Sequence, residues 1–344
     1  MPQTQETKNQ HYVPQGYLKN FTYDEQRLLV FDKFTGRWNS RSKKSVASAS
    51  NFHDVHPDIL QEFYEHIALH GYPAEDTAII ERIFADPQFI EHELSGIETA
   101  FYDARDSLLN AIDRSAVIST GQKEAFAYFM TIQHLRTPEV RRAIIELQEQ
   151  LANKLVEDEG LYVVYDQRYA SLHHAGVLFN PEIQQAYVNI LSRHIWTVGM
   201  NQTGEPLYTS DTPIVMAGHA TRYREIGVGV PGIEIAFPLS PHHILVLWER
   251  NLFRDQASED GTAWSLSLAE VRHYNRLQVL RSYQQVYSQS CDFGLAKEVC
   301  QCFPNVCDPN RTHGTVRWLR KNTTGSSILH FRQPNPDRVQ FEVH

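Results

Sequence analysis

Two kinds of hydrophobic periodicity divide the chain. Between residues 58 and 155, apolar positions recur at three and four residues with few glycines, which is typical of amphipathic helices. From Ile195 onwards, short apolar or alternating segments are separated by Gly, Pro, Asn and Ser, which indicates strands. The strands predicted in this way are residues 195 to 198, 233 to 237 and 244 to 248.

Three local patterns refine this division. Residues 244 to 248 read ILVLW and are apolar on both faces, which predicts a strand covered by helices on both sides. Helical spacing after Pro14 predicts a short helix there, because a proline at the first helical position sacrifices no hydrogen bond. The turn at Thr35-Gly36, between an apolar segment and Trp38, predicts a β-hairpin.

These elements predict an α+β protein, in which a predominantly helical body packs on a small, mostly antiparallel sheet. We expect one principal domain over residues 1 to 290, with a helical half at about 58 to 190 and a sheet half at about 195 to 250. A closing helix is predicted at about 267 to 287. Residues 291 to 344 would form a C-terminal segment with the cysteines and a polar tail.

Composition limits the classes of protein to which the chain can belong. Its 42% hydrophobic and 21% charged residues are typical of a folded globular protein. It has no apolar run of about 20 residues, and residues 1 to 10 lack the apolar core of a secretory signal, so we expect a cytoplasmic protein without a membrane partner. The net charge of -9 disfavours non-specific binding to nucleic acid, unless basic residues cluster locally.

All four cysteines lie in one late stretch, at Cys291, Cys300, Cys302 and Cys307. This local grouping is unlike the disulfide framework of a secreted fold. The last three could bind zinc together with His313, but their spacing lacks the paired knuckles of common zinc folds. We therefore expect reduced thiols without a metal.

Polar residues interrupt apolar helix faces at several places. Gln133 lies on the otherwise apolar face formed with Phe126, Phe129 and Met130, and Arg136 lies beside it one turn later. The following Thr-Pro-Glu, residues 137 to 139, has the pattern of an N-cap, a proline at the first helical position and an acidic first turn. Arg136 should therefore mark a break between two helices.

The start of the second helix is a candidate binding site for an anion. Its free backbone donors and partial positive charge, with Arg136, Arg141 and Arg142 close in sequence, could hold a phosphate or a carboxylate. The alternative is that Arg136 forms an ion pair with an acidic neighbour, as structural arginines commonly do.

Three further residues complete the set of candidates. Asn275 interrupts the apolar stripe of the late helix, Asp211 lies in a turn between predicted strands, and His11 directly precedes the first short helix. Because a buried polar group without a partner costs about 1 to 3 kcal/mol, we expect His11, Gln133, Arg136, Asp211 and Asn275 to meet in one neighbourhood.

Five segments resemble the bacterial family called domain of unknown function 4238. In order, they are NQHYVPQGYLKNF at 9 to 21, IQHLRTPEVR at 132 to 141, LYTSDTPIV at 207 to 215, FPLSPHHILVL at 237 to 247, and YNRLQVLRSYQQVYS at 274 to 288. The resemblance implies that the five candidate residues occupy motif positions of the family. It supplies no chemistry, part of the helical region at about residues 57 to 85 departs from the family's usual length, and the tail after Ser288 lies outside it.

The candidate residues are compatible with three functions. The first is a hydrolase acting on a phosphodiester or another anionic substrate, with His11 and Asp211 as catalytic residues and Gln133, Arg136 and Asn275 binding the substrate. The second is a non-catalytic module that binds an anion or a peptide terminus. The third is a purely structural polar core. The sequence predicts neither a cofactor nor an oligomeric state.

Overall fold

The computed structural model describes residues 8–71, 74–86, 88–112, 118–159, 164–220, 226–313, 315–321 and 327–332. It has the predicted α+β architecture, with helices in the first half and most strands in the second. The helices are α1 Gln15–Leu18, α2 Pro57–His70, α3 Ala74–Ala85, α4 Phe89–Ile112, α5 Thr120–Leu135, α6 Pro138–Glu159, α7 Ala170–Leu178, α8 Pro181–Ser192, α9 Leu268–Arg281 and α10 Gly294–Cys302. Short 3-10 turns connect several of them.

The strands form four sheets within the described part of the chain. In chain order they are β1 Asn9–His11, β2 Arg27–Asp32, β3 Arg37–Ser42, β4 Ser48–Ser50, β5 Ile195–Asn201, β6 Thr209–Ser210, β7 Val215–Gly218, β8 Ile233–Ser240, β9 His243–Trp248, β10 Ala263–Leu266, β11 Gln285–Ser288, β12 Thr315–Lys321 and β13 Ser327–Arg332. The sequence predicted strands of the main sheet and the hairpin that belongs to a second sheet, whereas the pairing of β1 with β4 was not predicted.

The main sheet has five strands in the order β10-β5-β9-β8-β7. All its pairings are antiparallel except that of β5 with β10, so the prediction of a mostly antiparallel sheet is confirmed. The prediction for β9 is also confirmed. Leu245 and Leu247 join the core beneath α4 and α5, whereas Ile244 and Val246 join a second core beneath α9. Helices therefore cover both faces of this strand.

The N-terminal elements follow their sequence signals. Strands β2 and β3 form the predicted hairpin, and Gly36 adopts φ +66°, a conformation that suits glycine. Helix α1 begins after Pro14 as predicted, and the Tyr17 hydroxyl donates to the carbonyl of Pro238 at 2.7 Å. The first helix is thereby tied to the main sheet.

The closing helix is shorter than the predicted 267 to 287. Helix α9 ends at Arg281, and Gln285–Ser288 form strand β11, which pairs with β2 and β6. The prediction failed because the backbone donors of residues 283 to 285 bind Asp211, which is distant in sequence. The periodicity of residues 267 to 287 carries no information about these hydrogen bonds to a distant residue.

The C-terminal segment packs on the body of the protein. Helix α10 contributes Ala296 and Val299 to a core that also contains Phe31 of β2 and Val279 of α9. These contacts cross residue 290. The domain boundary near that residue stays a prediction. Among the described helices, none is both long enough and apolar enough to cross a membrane.

Candidate functional site

Three of the five predicted site residues lie together behind the break between α5 and α6. Gln133 donates from Nε2 to the carbonyl of Tyr12 at 3.0 Å, which ties α5 to the segment after β1. The guanidinium of Arg136 donates to Gln133 Oε1 and, from Nη1, to Glu98 Oε1 at 2.8 Å. His11 contacts Gln15 through Nε2 at 3.0 Å.

This cluster is electrostatically coupled. Burial lowers the pKa of His11, while the nearby charges of Glu98 and Arg136 act in opposite directions. Arg136 is 1% exposed, and all three of its guanidinium nitrogens already donate to protein oxygens. It therefore has no nitrogen without a protein acceptor to offer to an anion.

Asp211 serves the backbone around the end of α9. Its two carboxylate oxygens accept hydrogen bonds from the backbone N–H groups of Tyr283, Gln284 and Gln285, each at 2.7 Å. Burial raises the pKa of Asp211 to about 6, although these three donors and the charge of Lys33 lower it. Asp211 is 1% exposed, and its carboxylate binds the backbone just before and at the start of β11.

Asn275 fastens α9 to the segment before β6. Its Oδ1 accepts from the backbone N–H of Tyr208 at 2.6 Å, and its Nδ2 donates to the carbonyl of Pro206 at 2.9 Å. Both functional atoms of the amide therefore have backbone partners. Tyr208 packs in the core beneath α10, so Asn275 positions a core residue.

The predicted neighbourhood is therefore divided. His11, Gln133 and Arg136 are adjacent. Asp211 is electrostatically coupled to Tyr12, whose carbonyl accepts the Gln133 amide, but its own hydrogen bonds go to the chain after α9. No described contact joins Asn275 to the other four residues. Their functional roles stay predictions, and their contacts have the character of an architectural network.

A cavity of about 300 Å³ lies on the other side of the same helix break. Its walls come from the end of α5, the first turn of α6, the chain from β6 to β7, the end of α9 and the segment from 305 to 313. Apolar atoms form the larger part of the wall surface, and seven of the seventeen lining residues are apolar, namely Val140, Ile214, Val215, Met216, Ile226, Leu280 and Val306. This composition is typical of a site for a small organic molecule.

Four polar side chains in the wall carry buried atoms without a hydrogen-bond partner in the part of the chain described. These atoms are His134 Nδ1, Thr212 Oγ1, Arg311 Nη1 and both ring nitrogens of His313, of which Nδ1 lies near Glu139 without hydrogen-bond geometry. An unsatisfied buried polar atom costs about 1 to 3 kcal/mol, so these four side chains around one cavity carry a considerable free-energy penalty. A ligand or ordered water would relieve it.

Glu139 organises two of these four side chains. Its Oε2 accepts from Arg311 Nη2 at 2.8 Å, and its Oε1 lies 2.9 Å from His313 Nδ1. Burial raises the pKa of Glu139. The contact with His313 and the charge of Arg311 have the opposite effect and bring this pKa below its ordinary value. The ionised carboxylate thus holds a guanidinium and an imidazole side by side.

The remaining wall histidine differs in its electrostatics. Burial lowers the pKa of His134 to about 4, against a weak opposing effect of Glu139. His134 is therefore neutral near pH 7 and offers one ring nitrogen as a hydrogen-bond acceptor or donor, according to its tautomer. The cavity wall accordingly combines two arginines, Arg281 and Arg311, with two carboxylates, Glu139 and Asp308, and two imidazoles.

The cysteines lie apart from these walls. Cys300 and Cys307 are half-buried and hydrogen-bonded to each other, whereas Cys291 and Cys302 are exposed. His313, which the sequence offered as a fourth zinc ligand, contacts Glu139 instead. Within the described ranges, no group of three His, Cys, Asp or Glu side chains is arranged to hold a metal ion.

The residues that line this cavity are neighbours of the residues predicted from the sequence. His134 and Thr212 directly follow Gln133 and Asp211, and Glu139 was assigned only to a helix start. Their signal was their position in the family-like segments, which did not distinguish buried from cavity-lining residues. Arg311 had no recognisable signal, and His313 was considered only as a zinc ligand.

Comparison with known proteins gives one result. A family model described as "Protein of unknown function (DUF4238)" matches residues 9–292. No curated protein and no solved structure matches the chain. The matched region contains the cavity walls from α5, α6, β7 and α9, but it ends before Arg311 and His313.

Proposed function

Since the chain belongs to the DUF4238 family, whose function is unknown, we propose from the cavity itself that the protein binds a small organic anion at the start of α6. The observation that carries this proposal is the set of unsatisfied buried polar atoms in a largely apolar wall. The ligand would place its anionic group against Arg311 and its apolar part against the wall formed by β7 and α9.

The position of Arg311 favours an anion over a neutral ligand. Its Nη2 is fixed by Glu139, while its Nη1 is buried without an acceptor in the part of the chain described. A guanidinium binds carboxylates and phosphates through charge-assisted hydrogen bonds, which are stronger than neutral ones. The hydroxyl of Thr212 provides a second donor from the facing wall.

The same helix start was the anion site expected from the sequence, but with a different arginine. Arg136 is occupied by Gln133 and Glu98, so the cation in this proposal is Arg311, from a segment beyond the family match. The cavity volume of about 300 Å³ and the net charge of -9 favour a metabolite-sized ligand over a nucleic acid. We place this ligand, like the protein, in the cytoplasm.

The alternative of a hydrolase that uses His11 and Asp211 has less support. A catalytic carboxylate needs a free lone pair directed at a substrate, whereas Asp211 is buried and accepts three backbone hydrogen bonds. The contacts of this residue favour a structural role.

Calorimetric titration with phenylphosphonate tests the binding proposal, and benzyl alcohol serves as a neutral probe of similar size. We expect binding of the phosphonate and none of the alcohol, and we expect Arg311→Met to weaken phosphonate binding at least about 10-fold. Arg37→Met, which changes an exposed arginine of β3, is the matched control. Equal affinity of both arginine variants, or no binding to the natural chain, would refute the proposal.

A further inference from the structure

His313 has the surroundings of a general base. Its side chain is fully buried, and its Nδ1 lies 2.9 Å from Glu139 Oε1 as an ion-pair contact that lacks hydrogen-bond geometry. Its Nε2 has no partner among the described residues. A carboxylate on one ring nitrogen fixes the orientation of an imidazole and retains the proton on that nitrogen. The other nitrogen is then left as a proton acceptor.

The base lies beside the proposed anion contact. Arg311 and His313 bind opposite oxygens of the same Glu139 carboxylate, so their positions are fixed with respect to each other. An anionic group held by Arg311 Nη1 is therefore close to His313. The ring of Tyr283 flanks both side chains, with its centroid 5.7 Å from that of His313 and 5.5 Å from the guanidinium carbon of Arg311.

From this geometry we propose that the cavity hydrolyses a small phosphodiester, with His313 as the general base, Glu139 as its positioning residue and Arg311 as the contact for the phosphoryl oxygens. The inference rests on the proposed function, because the substrate must first bind as an organic anion. A phosphodiester carries one negative charge, and Arg311 Nη1 offers its oxygens a charge-assisted hydrogen bond while Nη2 remains paired with Glu139.

The step is balanced with water as the second substrate. His313 Nε2 takes a proton from the water molecule while the water oxygen forms a bond to phosphorus. The bond between phosphorus and one ester oxygen breaks, and the leaving alkoxide receives the proton from His313. The products are a phosphomonoester and an alcohol, and no oxidant or reductant takes part.

His313 is held in position through both its ring and its backbone. Residues 305 to 313 cover the first turn of α6, and the backbone N–H of His313 donates to Glu146 Oε2 at 2.7 Å. His313 is thus held by two carboxylates of α6, one on its ring and one on its backbone. This double attachment keeps the imidazole in the cavity wall.

Release of 4-nitrophenolate from methyl 4-nitrophenyl phosphate tests the proposal with the full chain. We expect His313→Gln to reduce turnover at least about 100-fold, which is typical for loss of a general base, while phenylphosphonate affinity changes less than about threefold. His242→Gln changes an exposed histidine outside the cavity and should leave both quantities unchanged. Glu139→Gln should reduce turnover, and this reduction should be present in a variant that still binds phenylphosphonate.

A second measurement examines the imidazole without any substrate. In nitrogen-15 spectra of histidine-labelled protein at pH 8, the signal missing from His313→Gln should show a proton on Nδ1 and none on Nε2. A proton on Nε2 would overturn the proposal. So would phosphonate binding without turnover that depends on His313, whereas failure of phosphonate to bind would remove the proposed function as well.

Discussion

Gln133 and Arg136 are joined by two hydrogen bonds at the C-terminal end of α5. The Oε1 atom of Gln133 accepts from Arg136 Nε at 2.9 Å and from Nη2 at 2.6 Å. The remaining guanidinium nitrogen, Nη1, binds Glu98 of α4, and the Gln133 amide nitrogen binds the Tyr12 carbonyl. This pair therefore joins three segments of the chain at the point where α5 gives way to α6.

Arg136→Met should destabilise the protein without affecting the cavity. The variant leaves Gln133 Oε1 and Glu98 without their buried cation, and the loss of one partner from a buried ion pair costs about 3 to 5 kcal/mol. A chain of this size then melts about 6 to 10 °C lower. Calorimetry should find this decrease, and Arg37→Met should melt like the natural chain. An unchanged melting temperature would contradict the structural role.

Asp211→Asn should be similarly destabilising. The amide is the same size as the carboxylate, but its NH₂ group faces a backbone N–H donor instead of accepting from it. We expect a loss of about 2 to 4 kcal/mol, measured by urea unfolding, with phenylphosphonate affinity unchanged in the folded variant. Asp255→Asn alters an exposed carboxylate and is the control. Loss of binding or turnover with normal stability would instead restore Asp211 as a site residue.

Glu91 should make the stability depend on pH. Burial raises the pKa of Glu91 to about 7 from 4.5, and its Oε1 lies 4.0 Å from His53 Nε2, beyond hydrogen-bond distance. The native state therefore holds a proton between pH 4.5 and 7 that the unfolded state has lost, so this group's contribution to stability falls as pH rises through that window.

Glu91→Gln removes this ionisation. The variant should match the natural chain near pH 4.5 and exceed its stability by about 1 to 3 kcal/mol at pH 8, since one pKa unit corresponds to about 1.4 kcal/mol and the side chain is partly solvated. Melting curves at both values measure the difference, with the exposed Glu124→Gln as control. A gain of equal size at the two pH values would show that ionisation of Glu91 is not its cause.

The cysteines are expected to remain reduced and free of metal. Elemental analysis of the purified protein should find no stoichiometric zinc, and the metal content should not change in Cys302→Ser or Cys307→Ser. Stoichiometric zinc that is lost in either variant would show instead that the C-terminal segment is a metal-stabilised element. Cys291→Ser, which changes an exposed thiol, provides the comparison.

The sequence predicted those features of the fold whose causes lie close together along the chain. Strand β9 was predictable because burial on both faces leaves a continuous apolar run at residues 244 to 248. The proximity of Gln133 and Arg136 was predictable because residues three apart on a helix are neighbours. In both cases the cause lies within a few residues.

Interactions between distant segments were not predictable in this way. Strand β11 continues the apolar pattern of α9, and only its pairing with β2 and the hydrogen bonds of Asp211 decide for a strand. The attachment of His313 to Glu139 joins residues in different halves of the chain and leaves no periodic signal. The cavity was missed because its walls exist only after these segments have met.

The pairing of β2 with β11 also bears on synthesis. Val30 lies opposite Tyr287, so the inner edge of the N-terminal hairpin has no partner until residues 285 to 288, about 250 residues later, have left the ribosome. At about 5 to 20 residues per second, that interval is roughly 10 to 50 s. During it, Leu28 and Val30 remain outside their final core, and a nascent chain that stalls before residue 285 exposes an open strand edge. The second sheet is therefore completed only after residues 285 to 288 have been synthesised, and termination before that point should yield a product prone to aggregation.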